Sequence, residues 1–133
     1  MAKKRYKLNE GEKIVFKITN VKHGFWDSYN SVLIITNQGI ILEKYGIFDN
    51  FRGIEKYDYS NINQAIHTRS QNGSKQLEIY IGNKIEEFEL QSGDDNELKI
   101  LTKSINDQMG PNAELYDFQY YQELLNSIKE EER

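Results

Sequence analysis

The stretch Ser31 to Gly46, SVLIITNQGIILEKYG, constrains what this chain can fold into more than any other. Two short apolar runs, β-branched and continuous, flank Thr36-Asn37-Gln38-Gly39, which reads as a β-hairpin with a glycine in its turn. Apolar residues occupy consecutive positions in both arms instead of alternate ones. Such arms are expected to be covered on both sides or to lie centrally in a sheet.

Around the hairpin, from Glu12 to Leu90, short runs of β-branched and aromatic residues recur between Gly, Asn, Asp and Ser. That is the pattern of an antiparallel meander. The first strand is expected over Lys13 to Val21, with Ile14, Phe16 and Ile18 on one face. The arms of the hairpin follow as Val32 to Thr36 and Gly39 to Tyr45. After the loop Gly46 to Gly53, the run Ile54 to Ser60 sets Tyr57 and Tyr59 against Lys56 and Asp58. Asn61 to Arg69 continues with Ile62 and Ile66 in phase. Asn72-Gly73 turns the chain into Gln76 to Ile81, where Leu77, Ile79 and Ile81 alternate with Glu78 and Tyr80. Gly82-Asn83 is a two-residue turn into Lys84 to Leu90, with Phe88 and Leu90 inward. Ile85 is out of phase there, which predicts a bulge or an edge. Seven strands result.

The period then changes from two to between three and four. Asp94 to Gln108 carries Leu98, Leu101, Ile105 and Met109 in one stripe, an amphipathic helix with Asp94 and Glu97 placed as a capping pair. Gly110-Pro111 stops it. A second helix, expected from about Asn112, sets Leu115, Phe118, Tyr121, Leu125 and Ile128 on one side before the charged tail Lys129 to Arg133. The chain divides accordingly into a flexible basic N-terminus (1–7), one domain (8–110) and a C-terminal helical extension (111–133).

Composition excludes several classes of function. With 133 residues and 38% hydrophobic content, one domain can bury a core unaided by metal or disulfide. The absence of cysteine removes disulfides, thiolate nucleophiles and cysteine-held metal clusters. No signal peptide and no apolar run of membrane-spanning length is found, so the chain is read as soluble and cytoplasmic. Eleven basic residues face seven acidic ones up to Ser70, and six face fourteen beyond it. An acidic whole without a basic, aromatic-interleaved stripe disfavours nucleic acid. The basic run Lys3, Lys4, Arg5, Lys7 gives only a weak pull toward an anionic membrane.

Seven antiparallel strands, bent into two halves and corked at the open end by an amphipathic helix, resemble the pleckstrin-homology-like (PH-like) superfold, and more closely the small bacterial PH-like and GRAM-like domains. Leu33-Ile34-Ile35-Thr36-Asn37 through Gly46 and Tyr59-Ser60-Asn61-Ile62 carry the resemblance, which covers about Leu8 to Met109. It implies a mainly β fold, a seven-stranded bent barrel capped by a C-terminal helix, here with an extra terminal helix. It also implies a binding or adaptor module without enzymatic activity. In eukaryotic relatives the loop between the first two strands, with basic residues on its flanks, receives phosphoinositide headgroups. This chain departs from that pattern, because Ser31-Val32-Leu33-Ile34 offers no Lys/Arg pair to grip phosphates.

Three places are candidates for function. The first is Lys22 to Asn30, which holds Phe25, Trp26 and Tyr29 around a glycine; its aromatics either cover the barrel mouth or anchor a partner. The second is Gly46 to Gly53, with Phe48 and Phe51 beside Arg52. Its aromatics either tuck between strands or join the first loop in an aromatic, weakly basic rim with Lys22, Lys44 and Arg52. The third is the last helix, whose Leu115, Phe118, Tyr121 and Leu125 either pack on the barrel or dock on another copy or a protein partner. The histidines His23 and His67 lie on different strands and give neither a metal site nor a catalytic base with established partners. His23 reads as a solvated loop residue, with Asp27 and Ser28 nearby in sequence. No cofactor, catalytic residue or metal is expected. A membrane-surface module is the alternative, and a small enzyme or ligand carrier the next.

Overall fold

The computed structural model describes residues 6–23, 30–69, 73–90, 95–110 and 116–131. Seven strands, β1 (Ile14–His23), β2 (Ser31–Thr36), β3 (Gly39–Tyr45), β4 (Phe51–Asp58), β5 (Ile62–Arg69), β6 (Lys75–Ile81) and β7 (Lys84–Leu90), form one antiparallel sheet in the order β4-β3-β2-β1-β7-β6-β5. Two helices follow, α1 (Asp95–Met109) and α2 (Phe118–Glu131). The fold is mainly β with helices at its C-terminal end.

The hairpin at the centre follows from its sequence. Leu33 pairs with Leu42 and Ile35 with Ile40, and these four join the central core. Ile34 and Ile41 pair on the opposite face, where they are 1% and 0% exposed. At the turn the Thr36 hydroxyl accepts the Gln38 and Gly39 N–H groups, each at 3.1 Å, in place of water. Gly39 is required there because a Cβ would lie 2.7 Å from the Tyr57 carbonyl oxygen.

The outer face of the hairpin is held under the residues preceding β1. The Glu12 carboxylate, its side chain fully out of solvent, accepts the Tyr6 hydroxyl (2.7 Å), the Asn9 N–H (2.9 Å) and the Thr36 hydroxyl (2.6 Å), with Lys56 Nζ at 3.7 Å. The Tyr6 N–H donates to Glu43 at 2.7 Å. Residues 6–7, expected within a flexible terminus, are therefore anchored at Tyr6. Burial alone would raise the Glu12 carboxyl; the three hydrogen bonds and the Lys56 ammonium outweigh it and hold it below its ordinary value.

β1 joins the two halves of the sheet. Its first part pairs with β2, and Val21, Lys22 and His23 pair with Leu90, Glu89 and Phe88 of β7. A register shift between Ile18 and Val21 contains Asn20 at φ 58°, a bulge that bends the strand. A second shift between Ile14 and Phe16 buries both Val15 and Phe16, so the expected alternation starting at Ile14 is broken.

Other boundaries also differ from expectation. β4 begins at Phe51, because Tyr45 pairs with Phe51 and Lys44 with Gly53, and Tyr59–Asn61 is a 3-10 turn. A shift between Ile62 and Gln64 puts Ala65 in the core in place of Ile66. β6 and β7 pair without interruption, so Ile85 marks no bulge. It is exposed because β1 pairs β7 only from Phe88 to Leu90 and leaves the first half of that strand uncovered.

Helix α1 packs on β5, β6, β1 and β2, with Leu98, Leu101 and Ile105 fully buried as the plug of the barrel. Helix α2 packs on α1 and β1 and begins later than Asn112. The Asp117 carboxylate accepts the Tyr120 N–H at 3.1 Å, an N-cap that fixes the start. Tyr121 and Leu125 are buried in the common core, and the Tyr121 hydroxyl donates to Asp107 at 2.7 Å. Burial and that carboxylate raise the Tyr121 hydroxyl above its ordinary value.

Candidate functional site

The loop between β3 and β4 presents apolar side chains to solvent. Gly46 N–H donates to the Asn50 carbonyl (2.8 Å) and Asp49 N–H to the Gly46 carbonyl (2.9 Å), closing a tight turn. Ile47 and Phe48 stand at its tip, 75% and 86% exposed. The tuck between strands is therefore not adopted by these two residues. Phe51, at the foot of the loop, has its ring 5.9 Å from Tyr45 in an edge-on contact and is exposed on its other side. Exposed residues of this size cost solvation free energy, and when adjacent they commonly mark a binding surface.

Beside the tip, Ser31, Lys44, Tyr45 and Arg52 line a pocket of about 130 Å³. Asn30, the residue before β2, donates its side-chain amide to the Gly46 carbonyl, so the end of the first connection is fastened to the tip loop. Phe25 and Trp26 lie outside the described residues, as does Leu115. Lys22 alternates along β1 with Val21 and His23 and so points from the opposite face, which leaves Lys44 and Arg52 as the cations of the pocket.

The charges at this end are largely compensated. Lys44 Nζ lies 2.9 Å from Glu55, which also accepts the Tyr57 hydroxyl at 2.8 Å. Burial works against ionised Glu55, but Lys44 and the Tyr57 hydroxyl outweigh it and hold the carboxyl below its ordinary value. Burial, then the same carboxylate, raise the Tyr57 hydroxyl well above its ordinary value. Among the described residues no carboxylate reaches the Arg52 guanidinium. One compensated lysine and one arginine do not make the multidentate cationic clamp that a phosphorylated headgroup requires.

Sequence reasoning missed the polar brace behind the pocket. His23 is the last residue of β1 and not a loop residue; its side chain is 15% exposed and stacks on Phe88 with ring centroids 4.8 Å apart. Its Nε2 lies 2.9 Å from Glu86 of β7 and its Nδ1 3.8 Å from Glu55 of β4. The two ring nitrogens face different carboxylates, an arrangement that ties β1, β7 and β4 together but gives no common point for a metal ion. Among the described residues no group of three or more His, Asp or Glu is placed to hold one. Asp27 and Ser28 lie outside the described residues. His67 is exposed on β5, remote in the sheet order from β1.

The terminal helix contributes less surface than its composition suggests. Tyr121 and Leu125 face inward, so an interface through them is corrected to an internal contact; their apolar area is spent on α1 and β1. Phe118 remains partly exposed. Among the described residues no helix is long and apolar enough to cross a membrane.

Strand order, the β1–β7 closure and the inserted α1 together define a PH-like fold. Among solved structures the chain is similar to the Vps36 N-terminal PH domain, with a TM-score of 0.61 over 77% of this chain and 83% of that one. Sequence identity is 13%, a likeness of fold. No family model matches the sequence, and no curated protein does.

Proposed function

We propose that the chain is a non-enzymatic binding or adaptor module of the cytoplasm, akin to the small bacterial PH-like and GRAM-like domains, that recognises a protein partner. The binding surface is the β3–β4 tip, Ile47 and Phe48, with Phe51, Lys44 and Arg52 at its foot, and Phe25 and Trp26 of the β1–β2 connection are the further aromatic contacts of this reading. The observation that carries this reading is the pair of exposed apolar side chains held on a hydrogen-bonded turn. A rigid turn presenting large apolar groups binds at low conformational cost, because little order has to be imposed on association.

The test is photo-crosslinking in the source cell, with benzoylphenylalanine replacing Phe48 in the full chain and, as a control, replacing exposed Asn83 on the β6–β7 turn. Discrete protein adducts at position 48 that are absent at position 83 are expected. Equal patterns at both positions, or no protein adduct, contradict the proposal. The same tip beside two cations also fits a membrane surface. Sedimentation of the chain with anionic vesicles, lost in Phe48→Asp, would favour that second reading.

A further inference from the structure

The two ends of the sheet order, β4 and β5, are covered differently. Helix α1 packs against β5, whereas β4 pairs with β3 alone among the described elements. β4 runs for eight residues without a proline, and an edge of that length offers a row of main-chain groups to another chain. Phe51 and Ile54 add exposed apolar area along it, at 38% and 40%.

The contact at Gly39 shows which way the backbone of β4 points. The Tyr57 carbonyl oxygen lies so close to Gly39 of β3 that a Cβ there would stand 2.7 Å away, which makes Tyr57 and its partner Ile40 a hydrogen-bonded pair. In an antiparallel ladder the main-chain groups of successive residues point alternately toward and away from the neighbouring strand. Ile54, Lys56 and Asp58 therefore turn their N–H and C=O groups to the free edge.

The side chains along this edge are complementary to themselves. Antiparallel pairing of two β4 strands about Glu55 sets Ile54 against Lys56 of the second copy and brings Arg52, at the bulge before Gly53, beside Asp58. Lys56 keeps its ammonium on the Tyr6 hydroxyl at 3.1 Å, which leaves its methylene stem for Ile54. Gly53, whose Cβ position is open, meets Tyr57. Neighbouring registers lose this match: centred on Ile54, Arg52 meets Lys56; centred on Lys56, two lysines meet. The like pair at the centre, Glu55 with Glu55, is compensated in each copy by Lys44 at 2.9 Å.

We infer that the free edge of β4 is a contact between two copies of this chain, paired antiparallel about Glu55 so that their sheets join. The same patch serves both copies, so the association closes at the dimer. Main-chain hydrogen bonds supply the affinity, and the Arg52–Asp58 pair, formed twice, sets the register. The contact does not rest on the function proposed for the tip, and the purified chain alone reports it.

Sedimentation equilibrium of the full chain, carried to about 1 mM, reads the dimer. Arg52→Asp opposes two carboxylates at each end of the pairing and should weaken it about tenfold. Combining Arg52→Asp with Asp58→Arg re-forms the pair in reverse and should restore the wild-type value to within about threefold. Amide exchange in the wild-type chain should slow at Ile54 and Lys56 as the concentration rises. A chain that stays monomeric at about 1 mM, a double variant no better than Arg52→Asp, or exchange that slows at Ile47 and Phe48 in place of Ile54 and Lys56 would each overturn the inference.

Discussion

Single residues decide this fold where they are buried and charged. Replacing Glu12 by Gln keeps the shape but leaves Lys56 without its carboxylate, and a cost of about 1–3 kcal/mol is expected at about pH 6 in urea unfolding. The pH dependence has a definite sign. Native Glu12 ionises below its ordinary 4.5, so its contribution is complete above that value and is lost as the pH falls through the native one. The gap between wild type and Glu12→Gln should narrow as the pH is lowered from 4.5; a gap independent of pH would contradict the account. None of this was legible in the sequence, because Tyr6, Asn9, Thr36 and Lys56 converge on Glu12 only once the sheet has formed. His23 was misjudged for the same reason: its partner Glu86 is 63 residues away, and its flanks Lys22 and Gly24 look like a loop.

Elements were legible in proportion to how local their signals are. The hairpin Ser31–Tyr45 carries its own turn chemistry and its own apolar runs, and it emerged as read. The stripe Leu98, Leu101, Ile105 did so too. β4 was cut short because Phe51-Arg52-Gly53 has a loop's composition, and only pairing with β3 makes it a strand. The start of α2 was displaced because apolar spacing was followed in preference to Asp117, whose cap was present in the sequence. Two substitutions test these elements. Gly39→Ala forces a methyl against the Tyr57 carbonyl, a backbone atom with little freedom to retreat, and should cost about 1–3 kcal/mol. Leu101→Ala empties part of the plug and should cost about 2–5 kcal/mol, the larger figure if the surrounding strands do not relax. Both are read from urea midpoints at unchanged slope.

At the scale of the whole molecule, the chain spends its apolar residues on one core shared by the sheet and both helices, and leaves a small apolar tip outside it. Ending the chain at Gly110 removes Tyr121 and Leu125 from that core. Each buried side chain is worth about 1.5–3 kcal/mol, so the shortened chain should melt many degrees lower. An undiminished melting temperature would mean that α2 is an appendage. The candidate site was legible in part: the residues of the β3–β4 loop were singled out, but whether they tuck inward depends on the turn closed by Gly46 and Asn50, and Lys22 was grouped with Lys44 without knowledge of which face each occupies. The central claim, that this tip serves recognition and not stability, is tested most directly by one paired measurement on Phe48→Asp: its melting temperature, and its capture of the protein that crosslinks at position 48. The account predicts a melting temperature within about 2 °C of wild type together with lost capture. A fall of many degrees, or capture undiminished, would contradict it.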